Sequence, residues 1–286
     1  MKFLSSKELS EIGTKPHISL FGAPYDGTSC YRPGSRFAPD SIRASSTSLE
    51  SYSPYQDKSL ESLCFVDEGN LELPFGNKDR ALDTIEKYVL SLLRNKSIPF
   101  MIGGEHLVTY SAVKAVHSIY NELHILHLDA HTDLRDEFLG ERLSHATVIR
   151  RVCEIVGDKN VHQFGIRSGT REEITYAREK LGDFHRFSLP NSEKIVKKLG
   201  NKNVYLTLDV DILDPSCLPG TGTPEPGGIT FDRLLSFLVG LKGINFVGID
   251  VVELSPHYDP SGVSSIVVAK IVRELLILAK KIGVRS

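Results

Sequence analysis

Short apolar runs alternate with longer amphipathic stretches along most of the chain. Residues 17–21, 63–66, 98–102, 124–128, 161–165, 184–187, 204–208 and 245–249 read as strands, being brief, rich in branched residues and bounded by polar or turn-forming positions. Between them, 79–93 places Leu82, Ile85, Val89, Leu92 and Leu93 on one helical face. Helices are also expected over 107–119, 146–156, 172–181, 193–199, 230–241 and 264–282, and one starts at Pro39 and Asp40. Strand and helix in alternation mean α/β: a parallel sheet covered by helices. About eight strands fit either a closed barrel or a wide open sheet, and both architectures gather ligands at the carboxyl ends of the strands. No linker, repeat or low-complexity tract interrupts the pattern, so residues 1–286 read as a single domain.

Chemistry accumulates where the runs stop. The run 125–128 feeds Asp129-Ala130-His131-Thr132-Asp133, two carboxylates and an imidazole at alternate positions of an extended segment. The run 204–208 feeds Asp209-Val210-Asp211, and 98–102 leads through Gly103-Gly104-Glu105 into His106. Six ligand-type side chains at three strand ends, mostly oxygen donors, suit a pair of hard divalent cations better than a closed tetrahedral zinc site, and manganese suits a mixed imidazole and carboxylate set. Two such ions share a bridging water, lower its pKa and aim it as hydroxide, which is hydrolytic machinery. Asp214, before Pro215, is read as a turn former. The polar stretch 22–36 is expected on the surface or along a pocket, and the proline-rich loop 214–228 is long enough to be functional.

Composition narrows the class without changing it. A formal net charge of −2 gives no footprint for nucleic acid and no basic patch for a membrane, which leaves a small molecule as the partner. Cys30, Cys64, Cys153 and Cys217 are scattered and expected as small buried hydrophobes; residues 1–13 are too polar for a secretory signal; no apolar stretch is long enough to span a bilayer. A cytoplasmic protein with reduced thiols is expected.

Several stretches together resemble the ureohydrolases of the arginase and agmatinase group over residues 22–273: 103–106, 129–133, 208–215, 220–228 and 248–253. The resemblance implies an open, mostly parallel eight-stranded sheet and two Mn2+ ions per subunit. One ion would be held by His106, Asp129, Asp133 and Asp209, the other by Asp129, His131, Asp209 and Asp211, with Asp129 and Asp209 bridging. It implies that Glu253 grips the guanidinium, that Asp133 takes a proton from the attacking hydroxide, and that His145 carries a proton to the leaving amine. A homo-oligomer, trimer or hexamer, is implied too. Glu105 stands where the family usually has aspartate and is expected behind the ligands, bearing on metal affinity; Ala146 stands where glycine is common. Asp250 is read as a buried structural acid, and His117, His124, His127, His162, His185 and His257 as structural or exposed.

For the substrate tail, residues 134–144 lack the asparagine by which arginases read an α-amino acid, and the ending Ser144-His145-Ala146-Thr147 resembles agmatinases. Three acids against two arginines in this segment fit an amine tail, hence agmatine, giving putrescine and urea. Guanidinobutyrate or another guanidino acid, met by Arg135 or Arg142, is the runner-up; arginine is less favoured. A non-catalytic metal-binding sensor on the same scaffold is the reading from another class, and a dinucleotide site at 220–222 is remote because prolines follow and a helix does not.

Overall fold

In the structure, a computed structural model that describes residues 1–12 and 16–279, the alternation becomes an open sheet. The chain runs β1 (Ile18–Ala23), α1 (Ala38–Ser46), a small antiparallel pair β2 (Tyr52–Ser53) and β3 (Lys58–Ser59), β4 (Phe65–Asn70), α2 (Lys78–Arg94), β5 (Ile98–Gly103), α3 (Val108–Ile119) and β6 (Leu123–Leu128). It continues through α4 (Val148–Val156), β7 (Val161–Ile166), α5 (Arg171–Lys180), β8 (Asp183–Arg186), α6 (Ser192–Leu199), β9 (Asn203–Asp209), α7 (Phe231–Gly240), β10 (Asn245–Val252) and α8 (Val263–Leu278). Residues 280–282 of the expected last helix lie outside the described residues.

Eight strands form one parallel sheet in the order β4-β1-β5-β10-β9-β6-β7-β8, which decides between the two architectures in favour of the open one. Both faces are covered. Leu20, Phe100, Ile102, Leu126, Leu128, Leu206 and Leu208 point into a core closed by α1, α6, α7 and α8. Phe21, Met101, Ile125 and Tyr205, one pleat away, point into a second core closed by α2, α3, α4 and α5. Burial on both sides is why the strands read as near-continuous apolar runs rather than alternating ones.

The four central strands β5, β10, β9 and β6 carry the ligand-bearing ends. Their register is level: Val252 pairs with Asp209, and Leu128 pairs with Leu208. These strands are contributed by distant parts of the chain, so the sheet order brings residues 106, 129–133, 209–211 and 253 to one edge. That edge is the crevice at the carboxyl ends where the direction of winding switches, the usual ligand site of open α/β sheets.

Candidate metal centre and active site

Each arm of the site is fixed by its own backbone. The pentad runs beside the end of β7, with Asp129 N–H on Phe164 O at 3.2 Å and Thr132 N–H on Ser168 O at 3.2 Å. Helix α5 opens with a reciprocal cap between Thr170 and Glu173, and the same Glu173 carboxylate accepts Thr132 Oγ1 at 2.7 Å and Leu134 N–H at 3.1 Å. Asp133 is left-handed, φ +51, which turns its carbonyl onto the N–H groups of Ile149 and Arg150 in the first turn of α4. Glu253 is also left-handed, φ +70, at the exit of β10. Such backbone in non-glycine residues costs on the order of 1–3 kcal/mol each and concentrates at functional sites. Gly104 allows the β5 exit to lie against the loop after β1, for a Cβ there would stand 1.8 Å from Tyr25 O.

The carboxylates and imidazoles converge on two neighbouring groups, with one departure from the implied sets: Asp209 is not in the second. His106 Nδ1 lies 3.2 Å from Asp129 Oδ2, 3.0 Å from Asp133 Oδ2 and 3.5 Å from Asp209 Oδ2. His131 Nδ1 lies 2.9 Å from Asp211 Oδ2 and 3.6 Å from Asp129 Oδ1. Asp129 thus offers one oxygen to each group. Asp209 joins the His106 group, while its other oxygen accepts Asp211 N–H at 2.8 Å; the second compact group is Asp129, His131 and Asp211, without Asp209.

The donor set suits cations. His106 Nδ1 is buried, faces three carboxylates and has no hydrogen-bond partner, while Nε2 lies 2.9 Å from Thr207 Oγ1. Burial works against a charged His106, but Asp129, Asp133 and Asp209 outweigh it and raise its pKa well above the usual value. Burial, then Asp211 and Asp129, pushes Asp209 well above the carboxylate range. Four carboxylates in one buried volume need compensating charge, and an orphaned imidazole nitrogen aimed at them is a ligand atom in waiting.

Behind these candidate ligands sits a polar layer. Asp250 is fully buried and accepts Tyr205 OH at 2.7 Å and Thr109 Oγ1 at 2.9 Å; Thr109 in turn neighbours Thr207, so the structural acid reaches toward His106 through two hydroxyls. His127 is buried in β6 as expected, but it does more than fill the strand: Nε2 lies 2.8 Å from Asp129 Oδ2. Gln163 Nε2 donates to Thr132 O at 2.7 Å and lies 2.9 Å from His127 Nδ1, so the proton of His127 is on Nε2 and donated to Asp129. That nitrogen orients the carboxylate and has no lone pair left for an ion. The alternation of His127 with Asp129 on one face was the signal for it.

A cavity of about 370 Å³ opens over the centre, lined by His131, Asp133, Asp209 and Glu253 and walled by Cys30, Arg135, Phe138, His145 and Thr223. Glu253 Oε1 accepts His106 N–H at 2.7 Å, while Oε2 stands beside Gly222, where a Cβ would come within 3.3 Å of it. Burial and the neighbouring Glu105 push Glu253 well above the usual range. His145 sits on the single turn before α4, half-buried, with its pKa lowered by burial against the pull of Asp133.

Three expectations need correction. The cysteines are not uniformly buried: Cys153 is, Cys64 and Cys217 are half-buried, and Cys30 is exposed on the cavity wall because the loop after β1 brings it there. The acids of 134–144 do not face the cavity. Asp136 pairs with the buried Arg151 at 2.5 Å and with Arg142, Glu141 pairs with Lys78, and Arg142 also pairs with Glu154, all away from the cavity; only Arg135 of these charges lines it. Glu105 does not face the ligands: its buried carboxylate accepts Thr28 N–H at 2.9 Å, Thr28 Oγ1 at 2.7 Å and Ser29 Oγ at 3.1 Å.

A profile for the Arginase family matches residues 16–278. The chain belongs to the arginase family. Relatives include the agmatinase of Halalkalibacterium halodurans, 48% identical over 92% of this chain and 92% of that protein, and the agmatinase of Bacillus subtilis, 46% identical over 90% of each. Among solved structures, the agmatine ureohydrolase of Thermoplasma volcanium superposes with a TM-score of 0.85 at 32% identity, covering 98% of this chain and 94% of that one. A chain from Clostridium difficile reaches a TM-score of 0.91 at 47% identity, covering 94% and 99%. The arginase family is binuclear and metal-dependent, and this member is accordingly a hydrolase acting on guanidino groups, with a His and Asp cluster able to hold metal. No helix among the described residues is long and apolar enough to cross a membrane.

Proposed function

We propose that the protein hydrolyses agmatine to putrescine and urea, with two Mn2+ ions held by His106, Asp129, Asp133, Asp209, His131 and Asp211. The observation that carries the reaction is the placing of a buried carboxylate, Glu253, on the wall of the same cavity as two ligand groups that share Asp129. Agmatine rather than another guanidino compound is supported by kinship: agmatinases stand at 46–48% identity, the guanidinobutyrase of Pseudomonas aeruginosa at 32%.

When bound, paired divalent ions supply a water of lowered pKa and positive charge where negative charge develops. The residues do the rest. Glu253 has one oxygen tied to the backbone and the other free for the guanidinium, a planar cation that matches a carboxylate through charge-assisted hydrogen bonds. Asp133, beside the ligands and open to the cavity, takes the proton of the attacking water. His145 passes a proton to the departing amine from the cavity wall, its burial favouring the neutral ring that can cycle through that proton. A guanidino acid is the second reading, because Arg135 is the one charge of 134–144 on the wall; it lies 4.8 Å from the Phe138 ring centroid and 3.7 Å from Glu173. A homo-oligomer in the cytoplasm is the expected setting.

The test is urea release from agmatine, guanidinobutyrate and arginine by one manganese-loaded preparation. Preference for agmatine is expected. Preference for guanidinobutyrate would move the assignment to the second reading, and no urea from any of them would favour a sensor.

A further inference from the structure

The hydrogen bonds around His145 constrain where its ring carries a proton. Thr28 Oγ1 lies 2.7 Å from the Glu105 carboxylate, and with Glu105 ionised, as above its raised pKa of about 7, the one hydroxyl proton is committed there. Toward His145 that oxygen is therefore an acceptor: it takes the His145 backbone N–H at 3.1 Å and faces ring Nδ1 at 3.5 Å. A proton on Nδ1 fits this acceptor, and the lone pair of the neutral imidazole is then on Nε2. Cys30 Sγ stands 3.3 Å from Nε2, and a thiol has one proton to give. The Phe138 ring meets the imidazole edge-on with centroids 5.6 Å apart, closing a further side.

Glu105 makes this arrangement rigid. It accepts from the Thr28 N–H, the Thr28 hydroxyl and the Ser29 hydroxyl, clamping the segment that carries Cys30 to the residue beside His106.

We propose that residues 28–30, clamped by Glu105, position His145: Thr28 fixes the proton on Nδ1 and Cys30 donates its S–H to Nε2, so Thr28 and Cys30 are positioning residues for the proton carrier. This rests on the role given to His145 above. A histidine that carries a proton works only if the working nitrogen offers a lone pair when the proton arrives. The thiol is a weak donor, so it keeps that lone pair oriented and yields it readily.

The experiment compares C30A, C30S, T28V, T28S and H145Q in the metal-loaded enzyme, with agmatine as substrate and metal content measured for each. C30A and T28V are expected to lower kcat by about tenfold, a part of the 10²–10⁴ that acid–base groups contribute, with KM within twofold and metal content unchanged. C30S and T28S are expected to recover most of the loss, because the hydroxyl replaces each donor or acceptor. Ring ¹⁵N shifts of histidine-labelled, magnesium-loaded protein, with His145 assigned by its loss in H145Q, are expected to report an Nδ1-protonated ring in the parent and a shift away from it in C30A. If H145Q is impaired while C30A and T28V keep the parent kcat, or if the parent ring is Nε2-protonated, the positioning role is refuted and the role of His145 stands. If H145Q keeps the parent kcat, the role of His145 fails and this inference fails with it.

Discussion

Replacing Glu253 by Gln changes one atom of a buried, closely held side chain and should separate catalysis from folding. The amide oxygen can still accept His106 N–H, now at 2.7 Å, so the left-handed exit of β10 at φ +70 is kept. The amide nitrogen replaces Oε2 on the cavity side, where it meets guanidinium N–H groups donor to donor. Breaking a buried ion pair by neutralising one partner costs about 3–5 kcal/mol, which amounts to roughly a hundred- to several thousand-fold in kcat/KM for agmatine. Stability should move the other way. Burial and the neighbouring Glu105 raise the folded pKa of Glu253 well above the ordinary carboxylate value, so the unfolded chain loses this proton first and folding is progressively penalised as pH rises from that ordinary value toward the folded pKa. In chelated protein at pH 8, E253Q should therefore melt at the same temperature as the parent or higher. Urea release with measured metal content checks the first limb, and calorimetry the second. A variant within fivefold of the parent, with its metal in place, would refute the assignment of Glu253 as the guanidinium partner.

Chelation should abolish urea release and lower the melting temperature by several degrees, since each ion at a hundredfold above its Kd contributes about 2.7 kcal/mol; superimposable melting curves with and without chelator would contradict the metal centre. Thr207→Val removes the buried oxygen 2.9 Å from His106 Nε2, leaving a ring N–H unpaired at a cost of about 1–3 kcal/mol, read from denaturant midpoints together with weaker metal retention. Gly104→Ala drives a Cβ to 1.8 Å from the Tyr25 carbonyl oxygen, backbone against backbone, and should yield no soluble folded protein on expression. Asp183 is held at about 2 because His162 at 2.6 Å and Lys198 at 2.7 Å outweigh its burial. A depressed carboxylate contributes above its unfolded pKa and loses that contribution as pH falls toward 2, so Asp183→Asn should cost about 1 kcal/mol at pH 7, after allowance for solvent screening, and less at pH 3.

What the sequence made legible was what local pattern controls. Strands buried on both faces read as apolar runs with ligand-type side chains at their ends, so His106, Asp129, His131, Asp133, Asp209 and Asp211 stand out from the sequence as candidates, and the fold gathers them at one edge of the sheet. Whether the sheet closes depends on long-range strand order, which periodicity does not carry. The pair β2 and β3 was missed because two-residue strands have no period. The charges of 134–144 were misread because Lys78, Arg151 and Glu154, which neutralise them, lie elsewhere in the chain. Glu105 and Cys30 depended on a contact between the loops after β1 and β5, and nothing in the spacing of either segment announces it.

Asp133 turns its side chain to His106 in the candidate metal centre and its carbonyl to the opening turn of α4. A nine-residue helix and the Asp133 carboxylate thus share one pivot, and neither can drift without towing the other. A mutation at the far side of α4, remote from any substrate, would be felt at the centre as a displaced oxygen before it was felt as a loosened core.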